Sequence, residues 1–270
     1  MKAKTILLAA ITSLILSGCN STTQTTSGTD YLSKYPDSHA NNQLGSGQVN
    51  REVMEVASVE PLLQFPARIG LARIVNGDLS NLPREEGRAW QEAANRIGKD
   101  FGEFVPISPL IAEMVYGERA PNTPRNTREI IRKIRLGAAR QHLDAVLIYE
   151  VYSQTRRETL STAVANWTII GAYVVPSEKT ETVGFSNALL VDVRNGYPYG
   201  TATASATKKN VFSAAVAGDK KRGMEERNRI ASSLKLIPEV EDMMKRLKRE
   251  LGNGKTPSTT PSQVASHENS

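Results

Sequence analysis

The chain reads as an α/β protein of the α+β kind: one domain with a β-α-β-α-β core, an antiparallel hairpin added to a mixed sheet, and a C-terminal helix. Three observations predict it. Ala145-Val-Leu-Ile-Tyr-Glu-Val-Tyr152 is a near-continuous apolar run, as expected of a strand buried on both faces. Two stretches with helical spacing, starting near Pro83 and at Asn126, alternate with shorter strand-like runs before it. After it, Asn195-Gly196 separates two strand-like stretches, a strong short hairpin signal.

Taken in order, the first eighteen residues are not part of that domain. Lys2 and Lys4 precede an eleven-residue apolar run, Ile6 to Leu16, too short for a bilayer span of about 20 residues. That is the anatomy of a cleaved signal peptide, residues 1–18. Leu16-Ser-Gly-Cys19 resembles the lipobox of bacterial lipoproteins. The resemblance implies diacylation of the Cys19 thiol, cleavage before it and acylation of the new amino terminus. Two or more acyl chains anchor stably, at about 0.8 kcal/mol per buried methylene. Asn20 in place of Asp implies, by the same resemblance, the bacterial outer membrane, with the periplasmic and surface faces both open. Cys19 is the only cysteine, so no intrachain disulfide forms.

Residues 19–60 then read as the lipidated cysteine and a flexible tether. Asn20 to Asn50 is rich in Ser, Thr, Gly, Asn and Gln and cannot bury enough apolar surface to fold alone. The domain is expected over 61–251 and a disordered polar tail over 252–270.

Within the domain, Ala67 to Val75 reads as the first strand, broken by Asn76-Gly77-Asp78. Pro83 stands near a helix start, with Glu85 and Glu86 in the first turn where the helix dipole favours acids. Trp90, Ala93, Ala94 and Ile97 follow at helical spacing. Phe104 to Ser108 is a short strand whose Pro106 suits a sheet edge. Pro109 to Pro124 reads as a short helix and a loop. Asn126-Thr-Arg-Glu129 has capping-box spacing, opening a helix with Ile130, Ile131, Ile134, Ala138 and Ala139 on its apolar face. Its basic residues read as a solvated face. His142 beside Asp144 closes that helix, and the long strand follows. Val183–Arg194 and Tyr197–Lys208 are the hairpin strands, best placed beside the long strand. Arg222 to Leu251 is helical, divided by Pro238.

One stretch fits none of these elements. Leu160 to Ser177 carries no charge, and its apolar part, 160–176, reads as an insert between the long strand and the hairpin. It either packs on its own domain or faces a partner, a second copy or a membrane interface. Trp167, Ile169, Ile170 and Tyr173 are the candidate contact residues; Trp and Tyr suit an interface because each is apolar with one polar atom.

The block Trp167-Thr-Ile-Ile-Gly-Ala-Tyr-Val-Val175, the hairpin Leu189-Leu-Val-Asp-Val193 and the closing helix resemble the bacterial rhombotarget lipoproteins. That family implies no activity. Its name reflects a link to a rhomboid-type sorting protease, whose target tail, an apolar helix with basic residues after it, is missing from 252–270. At the level of element order the domain is also similar to the curli-secretion channel lipoprotein and to the TolB amino-terminal domain, which implies assembly or scaffolding.

Composition bounds the rest. The formal net charge is +6, or +4 once Lys2 and Lys4 leave with the leader, which does not point to nucleic acid. His39, His142 and His267 have no metal-ligand spacing, and no nucleophile, phosphate-loop or zinc-protease motif is present. Catalytic, cofactor and metal residues are therefore expected to be none. Glu150, in the buried-looking strand, is the one acid to watch. The expected role is a non-enzymatic binding or assembly factor of the cell envelope, with the membrane as one partner through Cys19 and a protein or a second copy as the other. An envelope hydrolase with acids converging across the sheet, and an oligomeric pore or secretion component built from Arg157–Val183, are the alternatives.

Overall fold

The computed structural model describes residues 21–34, 47–116, 127–159, 178–212 and 214–253. A mixed sheet of seven strands forms its middle layer. The strands are β1 (Ser21–Thr23), β2 (Ala67–Val75), β3 (Asp78–Ser80), β4 (Gly102–Pro106), β5 (Ala145–Thr159), β6 (Glu178–Asp192) and β7 (Pro198–Phe212). Their spatial order is β1-β7-β6-β5-β2-β3, and β4 lies parallel to β2 on the edge it shares with β3. β5 lies parallel to β2 on the other side, and β5-β6-β7-β1 continue antiparallel. The helices are α1 (Gly28–Ser33), α2 (Gly47–Ala57), α3 (Arg84–Ile97), α4 (Pro109–Tyr116), α5 (Thr127–Arg140) and α6 (Ala214–Asn253).

The period-2 alternation of a strand explains the two cores. Ala145, Leu147, Tyr149 and Val151 of β5 join Ile69 and Leu71 of β2 under α3 and α6, with Trp90, Ala93, Leu236, Ile237, Val240, Met243 and Leu247. Val146 and Ile148 turn the other way and meet Ala72, Ile74, Ile134 and Ala138 beneath α5. The expected α/β architecture is present, with the hairpin beside the long strand.

Several elements differ from the sequence reading. Asn76-Gly77 is a tight hairpin turn, not only a break: φ is 52° at Asn76 and 79° at Gly77, which suits a twisted two-residue connection, and β3 returns antiparallel on β2. The Asn195-Gly196 turn is a longer loop closed by Asp192 N–H donating to Tyr197 O at 2.9 Å. α6 runs unbroken through Pro238. That proline removes one helical hydrogen bond, but Pro238 and Leu234 are both exposed, so the released carbonyl meets water, and Leu236, Ile237 and Val240 hold both halves to the sheet. Within the stretch read as a tether, the structure has β1, α1 and α2. β1 and α1 are held by hydrogen bonds to distant residues, which composition does not reveal.

α6 lies close on β6. A Cβ on Gly184 would stand 2.1 Å from the Asn228 carbonyl oxygen, and Ser186 Oγ donates to Ser232 O at 2.8 Å. Gly184→Ala is therefore expected to cost about 1–3 kcal/mol by forcing strand and helix apart, read as a lower urea midpoint with an unchanged m-value.

Candidate functional site

Three places hold the residues of interest. The first is the outer end of the β5-β6-β7 sheet. β5 and β6 pair without a break from Ala145↔Asp192 to Thr159↔Glu178, and β7 pairs on to Phe212 opposite Glu178. On β5 the side chains apart from Glu150 are buried up to Val151, and Tyr152 and Ser153 are half-buried. The eight residues Tyr152–Thr159 carry the ladder about 27 Å further, at roughly 3.4 Å per residue. Leu160–Ser177 connects the two strands at that far end. Trp167, Ile169, Ile170 and Tyr173 themselves lie outside the described residues, as does Cys19.

The second is a buried polar cluster under α3 and α6. Ile69, Leu71 and Arg73 share the β2 face toward those helices, so the strand's own alternation drives the Arg73 side chain inward. Its Nε donates to Glu86 Oε1 and Oε2 at 3.1 and 3.0 Å, and its Nη1 donates to Ser80 Oγ at 3.2 Å. Nη2 lies 3.5 Å from Glu226 of α6. Glu86, placed in the first turn of α3 by Pro83, also accepts from Tyr149 OH at 2.8 Å. Arg73 is 4% exposed and Glu86 0%. Burial pushes the Glu86 carboxyl above the usual range, against the opposing pull of Arg73 and the Tyr149 hydroxyl. Burial, with Glu86 adding to it, raises the Tyr149 phenol as well. Trp90 is buried there, its ring 5.8 Å from that of Tyr149. The cluster joins β2, β5, α3 and α6. Arg73 and Glu86 are sealed from solvent, so what it does chemically is fix those four elements.

The third is a knot at the β6-β7 turn. Asp192 is buried and accepts from Arg194 N–H, Arg194 Nε and Nη2, and Tyr199 OH at 2.8–3.0 Å. Burial alone would raise its pKa, but these donors together hold it below the ordinary value. Tyr199 OH in turn accepts from Leu62 and Leu63 N–H at 2.9 and 2.7 Å. Tyr197 OH donates to Thr26 O, Gln24 N–H donates to Tyr199 O, and Asn195 Nδ2 donates to Glu60 O. Glu60 accepts from Thr29 N–H and Oγ1 at the start of α1, and those bonds hold its carboxyl low. This knot orders the polar stretch before the first long strand.

Of the residues singled out from sequence, Glu150 is exposed on β5, paired across to Asn187 and Ile74. His142 has φ 56° and closes α5, with its N–H donating to Ala139 O. Sequence reasoning passed over Glu86 and Asp192. The available signals were an arginine in the inward register of an apolar strand, and an acid at a hairpin corner followed two residues on by arginine. Among the described residues no three acidic, histidine or cysteine side chains converge as metal ligands, and no helix is long and apolar enough to cross a membrane. A dent lined by Ile69, Ala94, Ile97, Phe101 and Phe104 is shallow and apolar.

No family model matches the chain, and no curated protein matches it. Solved structures do, weakly. A PelC dodecamer from Paraburkholderia phytofirmans is 13% identical, with a TM-score of 0.28, over 68% of this chain and 91% of that one. The lipoprotein GNA1162 from Neisseria meningitidis is 20% identical, with a TM-score of 0.28, over 59% and 96%. The hypothetical protein CT253 from Chlamydia trachomatis is 11% identical, with a TM-score of 0.23, over 69% and 94%. At such scores the likeness carries no argument about function.

Proposed function

We propose that the chain is an envelope lipoprotein, anchored in the bacterial outer membrane through acylated Cys19, and that it acts by binding: a partner or a second copy meets the uncharged segment 160–176. The Leu16-Ser-Gly-Cys19 box and the resemblance to rhombotarget lipoproteins support the anchor and the cell-envelope location. The observation that carries the binding role is the unbroken β5-β6 ladder. It ends at Thr159↔Glu178, the two residues that the uncharged run joins. α6 starts at Ala214, beside that end, and runs back along the ladder as its support. An uncharged run rich in apolar residues needs a surface to cover it, and a partner or a second copy would supply one.

The experiment is native mass measurement of the full mature chain in mild detergent, with and without Trp167→Ala and Tyr173→Ala. A discrete species above monomer mass that falls to monomer in the double variant, with an unchanged circular dichroism spectrum, is the expected result. Equal masses and unchanged partner retention in both proteins would refute the contact. In parallel, Cys19→Ser should leave the membrane fraction; firm retention would mean that the lipid is not the anchor.

A further inference from the structure

β1 sets the distance between the proposed lipid anchor and the folded domain. It begins at Ser21 and pairs with β7 as Ser21↔Ala202, Thr22↔Thr201 and Thr23↔Gly200. α6 clamps it: Arg246 Nη2 donates to Ser21 O and Ser21 Oγ at 2.8 and 2.6 Å, and Thr23 Oγ1 donates to Glu250 at 2.8 Å. Past Thr23, Gln24 N–H donates to Tyr199 O and Tyr197 OH donates to Thr26 O, so the strand is held at both ends. Two residue steps separate Cys19 from Ser21, and two extended residues span about 7 Å at most. Acylated Cys19 therefore stays at the β1 edge of the sheet.

Two orientations on a membrane satisfy that constraint. β1 runs antiparallel to β7, so from Ser21 the chain heads toward Cys19 in the direction in which β7 runs to Phe212. Either the outer ends of β5, β6 and β7 follow it into the bilayer, or the sheet meets the membrane by its β1 edge. Charge decides between them. Cys19 reaches no further along the sheet than the level of Ala204, and β7 continues from there to Phe212, about 27 Å at roughly 3.4 Å per residue. Upright strands of that length would occupy most of a hydrocarbon core about 30 Å thick. They carry Arg156 to Glu158, Glu178, Lys179, Glu181, Lys208 and Lys209, and charges in hydrocarbon are costly. The β1 edge is instead bordered by a polar face of α6 that suits headgroups. There Lys235 Nζ donates to Ser205 O at 3.1 Å, and exposed Asp242 stands one turn before Arg246.

We infer that the sheet meets the membrane by its β1 edge: the Cys19 acyl chains hold β1 and the adjoining face of α6 at the headgroup layer, with β3 and β4 turned away. This rests on the lipoprotein reading above. The β3 and β4 edge stands five strand spacings from β1, about 24 Å. A long free tether would let both edges sample the same distances from the lipid.

The lone cysteine is consumed by lipid, so an introduced cysteine is the only free thiol. Asp242→Cys beside β1, Glu103→Cys on β4 and Thr180→Cys on the outer part of β6 are each made in the full lipidated chain. Each is labelled with a fluorophore, in nanodiscs of phosphatidylethanolamine and phosphatidylglycerol, and quenched by lipid carrying a nitroxide at the headgroup or at mid-chain. The expected result is headgroup quenching at position 242 at least threefold stronger than at 103. About a dozen Gly and Ser residues inserted between Asn20 and Ser21, a coil of about 19 Å, should bring that ratio near one. Equal quenching at 242 and 103 in the parent, or a ratio that the insertion leaves unchanged, would overturn the seat. So would mid-chain quenching strongest at 180, which would mean that the outer strands stand in the bilayer as in a pore. Intact mass, taken on the same samples first, separates the two readings. A missing acyl mass sinks the anchor and the seat with it; a normal acyl mass with equal quenching sinks the seat alone.

Discussion

Arg73→Met is expected to destabilise the domain by about 3–5 kcal/mol, the usual consequence of removing one partner from a buried ion pair. Glu86 would remain at 0% exposure with Tyr149 as its main donor, and water cannot reach it in the folded state. The loss is not the net worth of the pair. Arg73→Met combined with Glu86→Leu should recover most of it, since well-packed apolar side chains commonly replace a buried pair at little cost. Urea unfolding of the two variants decides this: if the double variant is as unstable as the single one, the cluster contributes more than charge compensation. The carboxyl also leaves a pH signature. Burial holds its folded pKa above the ordinary carboxylate value of about 4.3. The folded state then binds the proton first, so stability falls as pH rises through the interval between the ordinary and the raised value, and is regained on acidification. Glu86→Gln should lack that gain. A stability profile over this interval that is the same in Glu86→Gln and the parent would show that Glu86 does not titrate as placed.

How much of this was legible beforehand depends on what kind of force made each feature. β5 announces itself because burial on both faces demands an unbroken apolar run, and the pairing of β6 with β7 follows from the hairpin signal between them. α3 and α5 were readable from spacing plus a proline or a capping box. β3 carried the same Asn-Gly signal as the later hairpin, yet three residues of Asp78-Leu-Ser80 are too short for a period to show. The N-terminal segment was opaque for another reason. Ser21 to Ser33 has the composition of a linker, and what holds it is a set of hydrogen bonds to Tyr197, Tyr199, Glu60, Arg246 and Glu250. Those partners lie between 31 and 227 residues away in the chain. No local pattern encodes them. The same holds for Arg73 and Glu86, which are individually ordinary and become a site only when β2 and α3 are packed. Pro238 shows the converse: a strong local signal overruled by the packing of α6 on the sheet.

The knot at the β6-β7 turn is the second place where a single atom should matter. Tyr199→Phe removes one hydroxyl that accepts from Leu62 and Leu63 N–H and donates to Asp192. Leu63 is 3% exposed, so its amide would be left without a partner out of reach of water. With a second amide and a carboxylate each losing a bond, at about 1–3 kcal/mol per unsatisfied buried group, a loss of about 2–4 kcal/mol is expected. The damage should be local as well as global. Amide exchange should quicken at Gln24, Leu62 and Leu63 before it does in β5, because the hydroxyl is what ties the incoming chain to the hairpin. Uniform acceleration across the sheet would mean that Tyr199 supports the core and not the N-terminal segment. The acid response must also run opposite to that of Glu86. The donors around Asp192 hold its pKa below the ordinary value of about 3.9. Its contribution is therefore complete above that value and is lost as pH falls through the depressed one. Against the cost of burial, the Arg194 guanidinium contributes most to that lowering, followed by the Tyr199 hydroxyl and the Arg194 amide. Asp192→Asn should flatten the acid limb below about pH 4 and leave the Glu86 interval above it intact. If one substitution altered both limbs, the two carboxylates would be coupled through the sheet, and the separation of knot from cluster would fail.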